Sequence, residues 1–132
     1  MNNRVVRILL AVAALGAARC VLAQDVKVQP ILNKELTGIA GKEGTMITVE
    51  YAPGASSDPH RHNAHVFVYV IEGSVEMGVN NSPPVTLGPG QSFYESPTDI
   101  HTVSRNASKT QPAKFVVFLV AEKGAPRTVP VK

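Results

Sequence analysis

Gly54-Ala-Ser-Ser-Asp-Pro-His60-Arg-His62-Asn-Ala-His65-Val-Phe-Val-Tyr-Val-Ile-Glu72-Gly73 places three of the chain's four histidines within six positions and runs straight into a β-branched, aromatic segment. In an extended strand the side chains at i and i+2 share a face. His60 and His62 therefore converge on one point while Arg61 turns away. Imidazole nitrogen is the commonest protein ligand for transition metals. The fourth histidine, His101, ends another apolar segment about forty residues on. Two ligands from one strand and a third from a distant one would close a facial site around a divalent ion.

On either side of this stretch the chain keeps to short extended pieces. Met46 to Tyr51 alternates, with Ile47, Val49 and Tyr51 on one face and Thr48 and Glu50 on the other. Val66 to Ile71 is apolar on both faces, which predicts a strand covered on both sides or lying at a subunit contact. Ser74 to Val79 alternates again, and Asn80 to Pro84 forms a hairpin loop ahead of the short return strand Val85 to Leu87. Gln91 to Glu95, Thr102 to Arg105 and Lys114 to Val120 complete the set. The segment Val26 to Gln29, followed by Pro30, predicts an edge strand or an arm on a partner. After Gln24 no segment of ten residues carries a helical apolar period. Short strands between Gly/Pro turns predict an all-β barrel or sandwich in a single domain.

The first residues have a different layout. Arg4 and Arg7 precede the eleven-residue apolar run Ile8 to Ala18, and Val21-Leu22-Ala23 offers small residues for cleavage after Ala23. This predicts a secretory signal over residues 1–23, with export to the periplasm or medium. Eleven apolar residues are too few to cross a bilayer. Arg19 stands where a lipoprotein signal needs a small residue, so lipid attachment at Cys20 is set aside. Three arginines and no acid would leave with the signal, and the formal charge of +3 falls to zero. The sole cysteine leaves as well, so disulfides play no part in the mature chain. A neutral chain without a Lys/Arg cluster has no electrostatic footprint for nucleic acid, and no membrane association is expected after cleavage.

Over about residues 45–120 the chain resembles the small single-domain cupins, a family of jelly-roll β-barrels that hold one metal. The first cupin motif has Gly, five residues, His-x-His, three or four residues, Glu, six residues and Gly. Here it gives Gly54, His60-Arg61-His62 and Gly73. The second motif has Gly, five residues, Pro-x-Gly, two residues, His, three residues and Asn. Here it gives Gly90 and His101 at the family's spacing, with Asn106 one residue late. Two departures stand out. The motif Glu falls at Val66 or Phe67, neither of which is a ligand, and Ser96-Pro97-Thr98 replaces Pro-x-Gly. His65 would need a bulge to face the metal, because its parity is opposite to that of Val66. Glu95 would supply a carboxylate from the other side of the barrel, or else pair with Arg61 or Arg105 at the surface. Tyr69 and Tyr94 are expected as core or rim aromatics. Asn106 is expected to serve its turn through side-chain hydrogen bonds.

The resemblance implies one divalent transition metal (Fe, Mn, Ni, Cu or Zn) held by His60, His62 and His101, with Glu95 or His65 completing the set. Glu95 is also the candidate general base. Two readings of function follow. One is a metal-dependent dioxygenase, similar to the quercetin-dioxygenase-like cupins, acting on a small aromatic or enolic compound. The other is a metal or small-molecule binding module of the same fold without turnover. Cupins commonly pair, and the apolar strand Val66 to Ile71 with the N-terminal arm predicts a homodimer.

Overall fold

A computed structural model describes residues 25–131; the expected signal segment lies outside them. Among the described residues the regular structure is all strand. In chain order the strands are β1 (Val26–Glu35), β2 (Lys42–Tyr51), β3 (Ser56–Ser57), β4 (His60–Arg61), β5 (His65–Glu72), β6 (Val75–Val79), β7 (Val85–Leu87), β8 (Ser92–Glu95), β9 (His101–Asn106), β10 (Ala113–Glu122) and β11 (Val129–Pro130). One sheet runs β1-β2-β10-β5-β8; the other runs β11-β4-β9-β6-β7, with β3 also on β9. Every pairing is antiparallel. The two sheets face one another as a jelly roll.

Period-two alternation builds the core. Ile47, Val49 and Tyr51 of β2 point inward as expected, joined by Val66, Val68 and Val70 of β5 and by Val75 and Met77 of β6. Phe115, Val117 and Leu119 of β10 close the layer. Each such aliphatic side chain, fully buried, contributes about 1.5–3 kcal/mol. The other face of β5 is not covered within the chain: Phe67, Tyr69 and Ile71 are exposed, as is Tyr94 on β8. Tyr69 and Tyr94 therefore belong to the outer surface and not to the core. The N-terminal segment is an edge strand as expected, with an irregularity between Pro30 and Leu32 where proline withholds a donor. The tail does more than extend: β11 returns to pair with β4 beside the histidines.

Two residues of the recognised motifs are structural. Asn106 is buried; its Nδ2 lies 2.8 Å from the Gln111 carbonyl and 3.0 Å from that of Ala52, and its Oδ1 accepts from the Ser108 amide. Gly73 turns the chain from β5 into β6 at φ 69°. A Cβ there would lie 2.3 Å from the Pro112 carbonyl oxygen and 2.8 Å from the Ala113 Cα, both backbone atoms that cannot swing aside. Gly73→Ala is expected to cost on the order of 3 kcal/mol from strain and overlap together. Urea denaturation measures it, and a loss below about 1 kcal/mol would show that the turn relaxes freely.

Candidate metal centre

The ligand atoms of His60, His62 and His101 lie within 4.8 Å of one another. Strand pairing brings them there. His60 on β4 is the direct partner of His101 on β9, and His62 follows two residues after His60. On β9 the register shifts by one residue between its pairings with Gly78 and Val79, so Thr102 is extra. The shift puts His101 on the same inward side as Ser104 and Asn106, which strict alternation would forbid. The Thr102 hydroxyl secures it against the carbonyls of Gly78 and Asn80.

Hydrogen bonds fix the tautomers of two rings. His60 Nδ1 donates to the Asp58 carbonyl at 2.7 Å, and His62 Nδ1 donates to the Arg127 carbonyl at 2.5 Å. A carbonyl only accepts, so both Nδ1 atoms carry protons, and in the neutral rings both Nε2 atoms present bare lone pairs. Those two lone pairs meet at 3.1 Å. Such an approach is repulsive unless a proton or a metal ion lies between them, and burial opposes placing the proton on His62. Two ligands about 2.1 Å from one ion at right angles stand about 3.0 Å apart, which matches. Donation of the second ring N–H to a backbone carbonyl is also the habit of metal-bound imidazoles. His101 is buried, and neither of its ring nitrogens makes a hydrogen bond among the described residues. The three rings fit a divalent ion.

Glu95 stands beside them. Its Oε1 is 3.2 Å from His101 Nδ1, though not aligned as a hydrogen bond, and its Oε2 is 3.8 Å from His62 Nε2. It does not pair with Arg105, which forks onto Glu76 with two contacts of 2.8 Å. His65 does not join the cluster. β5 keeps an unbroken register with β10 from Val70 to His65, so no bulge turns that ring inward. It lies exposed on the outer face, with Nδ1 2.7 Å from the Tyr94 hydroxyl.

A cavity of about 740 Å³ opens onto the three histidines and Glu95, walled mainly by apolar side chains of both sheets. The family model described as Cupin domain (Cupin_2) matches residues 47–119, more than half of the chain. This chain belongs to the cupin family.

No curated protein matches this cupin's sequence. Among solved structures, it resembles the Cupin_2 domain of an XRE-family transcriptional regulator from Enterobacter cloacae (26% identity, TM-score 0.55, covering 73% of this chain and 96% of that one). It is similar to an oxalate oxidase in complex with glycolate, at 23% identity and a TM-score of 0.62, covering 80% of this chain and 55% of that one. It is also similar to the DMSP lyase DddQ from Ruegeria pomeroyi DSS-3 at 21% identity and a TM-score of 0.58. That match covers 65% of this chain and 42% of the lyase, so the cupin spans less than half of the lyase's length. Likeness at these identities to the oxidase and the lyase shows the shared fold.

Within this cupin the carboxylate beside the histidines stands on β8. Val66, where the first motif carries Glu, is the direct Cα partner of Glu95 across β5 and β8. Both side chains line the cavity. Glu95 thus stands beside the motif position but in the sheet opposite β4 and β9, and it approaches the histidines from the other side of the barrel. Sequence reasoning passes over two other features of the site. The Arg127 carbonyl that orients His62 carries no side-chain signal at all. Tyr51 places its hydroxyl 2.6 Å from Ser57 Oγ and 2.8 Å from Ser104 Oγ at the cavity wall. Burial raises the Tyr51 phenol, with the charge of Glu95 adding to it.

Burial, with the charge of Asp99 adding, pushes Glu95 up to about 8 from its ordinary 4.5. Burial, with His60 and His62 adding, pulls His101 down to about 3 from 6.5. Both shifts favour neutral groups. Neutral imidazole is the ligating form, whereas the carboxyl must release its proton to bind a cation, so metal affinity rises with pH. For metal-free protein, the native-state pKa of Glu95 lies above the unfolded value. Its contribution to stability is present below about pH 4.5 and is lost as pH rises through about 8, a change on the order of 5 kcal/mol. The His101 contribution is present above about pH 6.5 and is lost as pH falls through about 3. Melting temperature of metal-free protein should therefore peak between about pH 5 and 6.5, and Glu95→Gln should flatten the alkaline side. A wild-type curve that is level up to about pH 8.5 contradicts this.

Proposed function

We propose that this cupin is an exported metal-dependent enzyme, a dioxygenase acting on a small aromatic or enolic compound that chelates the ion through two oxygens. The observation that carries the reading is the approach of the His60 and His62 Nε2 atoms to 3.1 Å, with His101 and Glu95 beside them. Three imidazoles and one carboxylate leave two coordination positions for a bidentate ligand. A divalent ion there supplies Lewis acidity and, if redox-active, a route for dioxygen chemistry. His60 and His62 hold the ion through Nε2, oriented by the Asp58 and Arg127 carbonyls. Glu95 is the remaining ligand or the base: its two oxygens stand 3.2 Å from His101 Nδ1 and 3.8 Å from His62 Nε2, within reach of a ligand bound at the ion. The apolar cavity walls exclude water around a small ring or enol.

Oxygen uptake by metal-loaded protein with flavonols, catechols and 1,3-diketones tests turnover. Uptake with one of these classes, lost in Glu95→Gln, is expected. Tight binding without uptake would assign the chain to the non-catalytic binding modules of the same fold. We place the mature N-terminus at Gln24, which mass spectrometry of protein recovered from an exporting host checks. We also assign a homodimer, supported by the bare apolar face of Phe67, Tyr69, Ile71 and Tyr94; elution at the monomer mass contradicts it.

A further inference from the structure

Besides the metal end, the cavity lining includes Asp58, Arg127, Thr128 and one hydrogen-bonded cluster of hydroxyls. Tyr51 Oη lies between Ser57 Oγ and Ser104 Oγ, and all three residues line the cavity. Three hydroxyls carry three protons, and the two bonds among them use two. Whichever way the chain of donors runs, one O–H proton has no acceptor among the described residues. Ser57 and Ser104 are direct partners on the same β9 ladder that pairs His60 with His101. The extra residue at Thr102 puts Ser104 and His101 on one inward side. The spare donor and the histidines therefore face the same cavity, one step apart along the strand.

We infer that the Tyr51–Ser57–Ser104 cluster is a second recognition point, donating one hydrogen bond to a neutral carbonyl oxygen on a ligand whose chelating end sits at the histidines. This rests on the chelating reading above and narrows its substrate class to catechol-like or enolic compounds that carry an additional ketone, aldehyde or ester. A neutral acceptor is favoured over a carboxylate. Arg127 also lines the cavity, but no cation is bonded to the cluster itself, and a single hydroxyl offers poor compensation for desolvating an anion. A site built to hydrogen-bond one oxygen discriminates against the analogue lacking it, because its own donor is then left unpaired.

Zinc-loaded protein is titrated with 3,4-dihydroxyacetophenone and with 4-ethylcatechol, which match in size but differ by the carbonyl oxygen. Wild-type protein is expected to prefer the ketone by about tenfold. The triple variant Tyr51→Phe/Ser57→Ala/Ser104→Ala removes all three hydroxyls together and leaves no orphan behind. It should lose that preference while keeping its zinc content and its affinity for 4-ethylcatechol. Infrared difference spectra supply a second readout: chelation alone lowers this conjugated ketone stretch, so the stretch should lie at lower wavenumber in the wild-type complex than in that of the triple variant. Equal affinity of wild-type protein for the two catechols, a preference that survives in the triple variant, or a ketone stretch at the same wavenumber in both complexes overturns the inference and leaves chelation standing. Failure of both catechols to bind overturns the chelating reading and this inference with it.

Discussion

His101→Ala is expected to lower zinc affinity by roughly 100-fold or more, read by competition with a chromophoric chelator. The size of the effect follows from position. His101 is the single histidine that β9 gives to the cluster, its ring is buried, and neither nitrogen makes a hydrogen bond to the described protein. The ring packs against Phe93 but no hydrogen bond ties it to the fold, so its removal should act chiefly on the ion. His62→Ala should behave similarly, because its Nδ1 bond to the Arg127 carbonyl serves to aim Nε2. His65→Ala is the control. That ring lies on the outer face against Tyr94, and affinity should stay within about twofold of wild type. Equal losses at His65 and His101 would place the ion elsewhere.

The fold was legible because alternation carries it. Ile47, Val49 and Tyr51, and likewise Val75 and Met77, point where period two puts them. The three ligating histidines were legible because His-x-His needs only strand parity and His101 keeps the family spacing. Legibility ends where geometry depends on pairing between distant segments. Nothing local reveals that Glu95 faces Val66 across β5 and β8, or that an extra residue at Thr102 brings His101 inward. The tail gave no hint of itself, because β11 has two residues and the atom that matters is the Arg127 backbone oxygen. His65 reads as a candidate by proximity alone, and the unbroken register of β5 removes it.

The pairing of Val66 with Glu95 yields the second large effect. Glu95→Val is expected to weaken metal binding by about 10- to 100-fold, since it deletes the one carboxylate beside the histidines. Adding Val66→Glu to that variant should restore affinity to within a few-fold of wild type. Directly paired residues in an antiparallel ladder have Cβ atoms about 5 Å apart, which a glutamate side chain can span. Both positions are buried and line the cavity, and the exchange leaves total side-chain volume nearly unchanged. A double variant as weak as Glu95→Val alone would mean that the carboxylate acts from β8 only, or that Glu95 serves the fold and not the ion.

The most direct measurement is elemental analysis of wild-type protein, purified without a polyhistidine tag and dialysed free of loose ions, beside a variant with alanine at positions 60, 62 and 101. About one divalent transition-metal ion per wild-type chain, and essentially none in the variant, is the expected result. A wild-type protein that holds no ion after loading, or a variant that holds as much as wild type, would contradict the account at its centre.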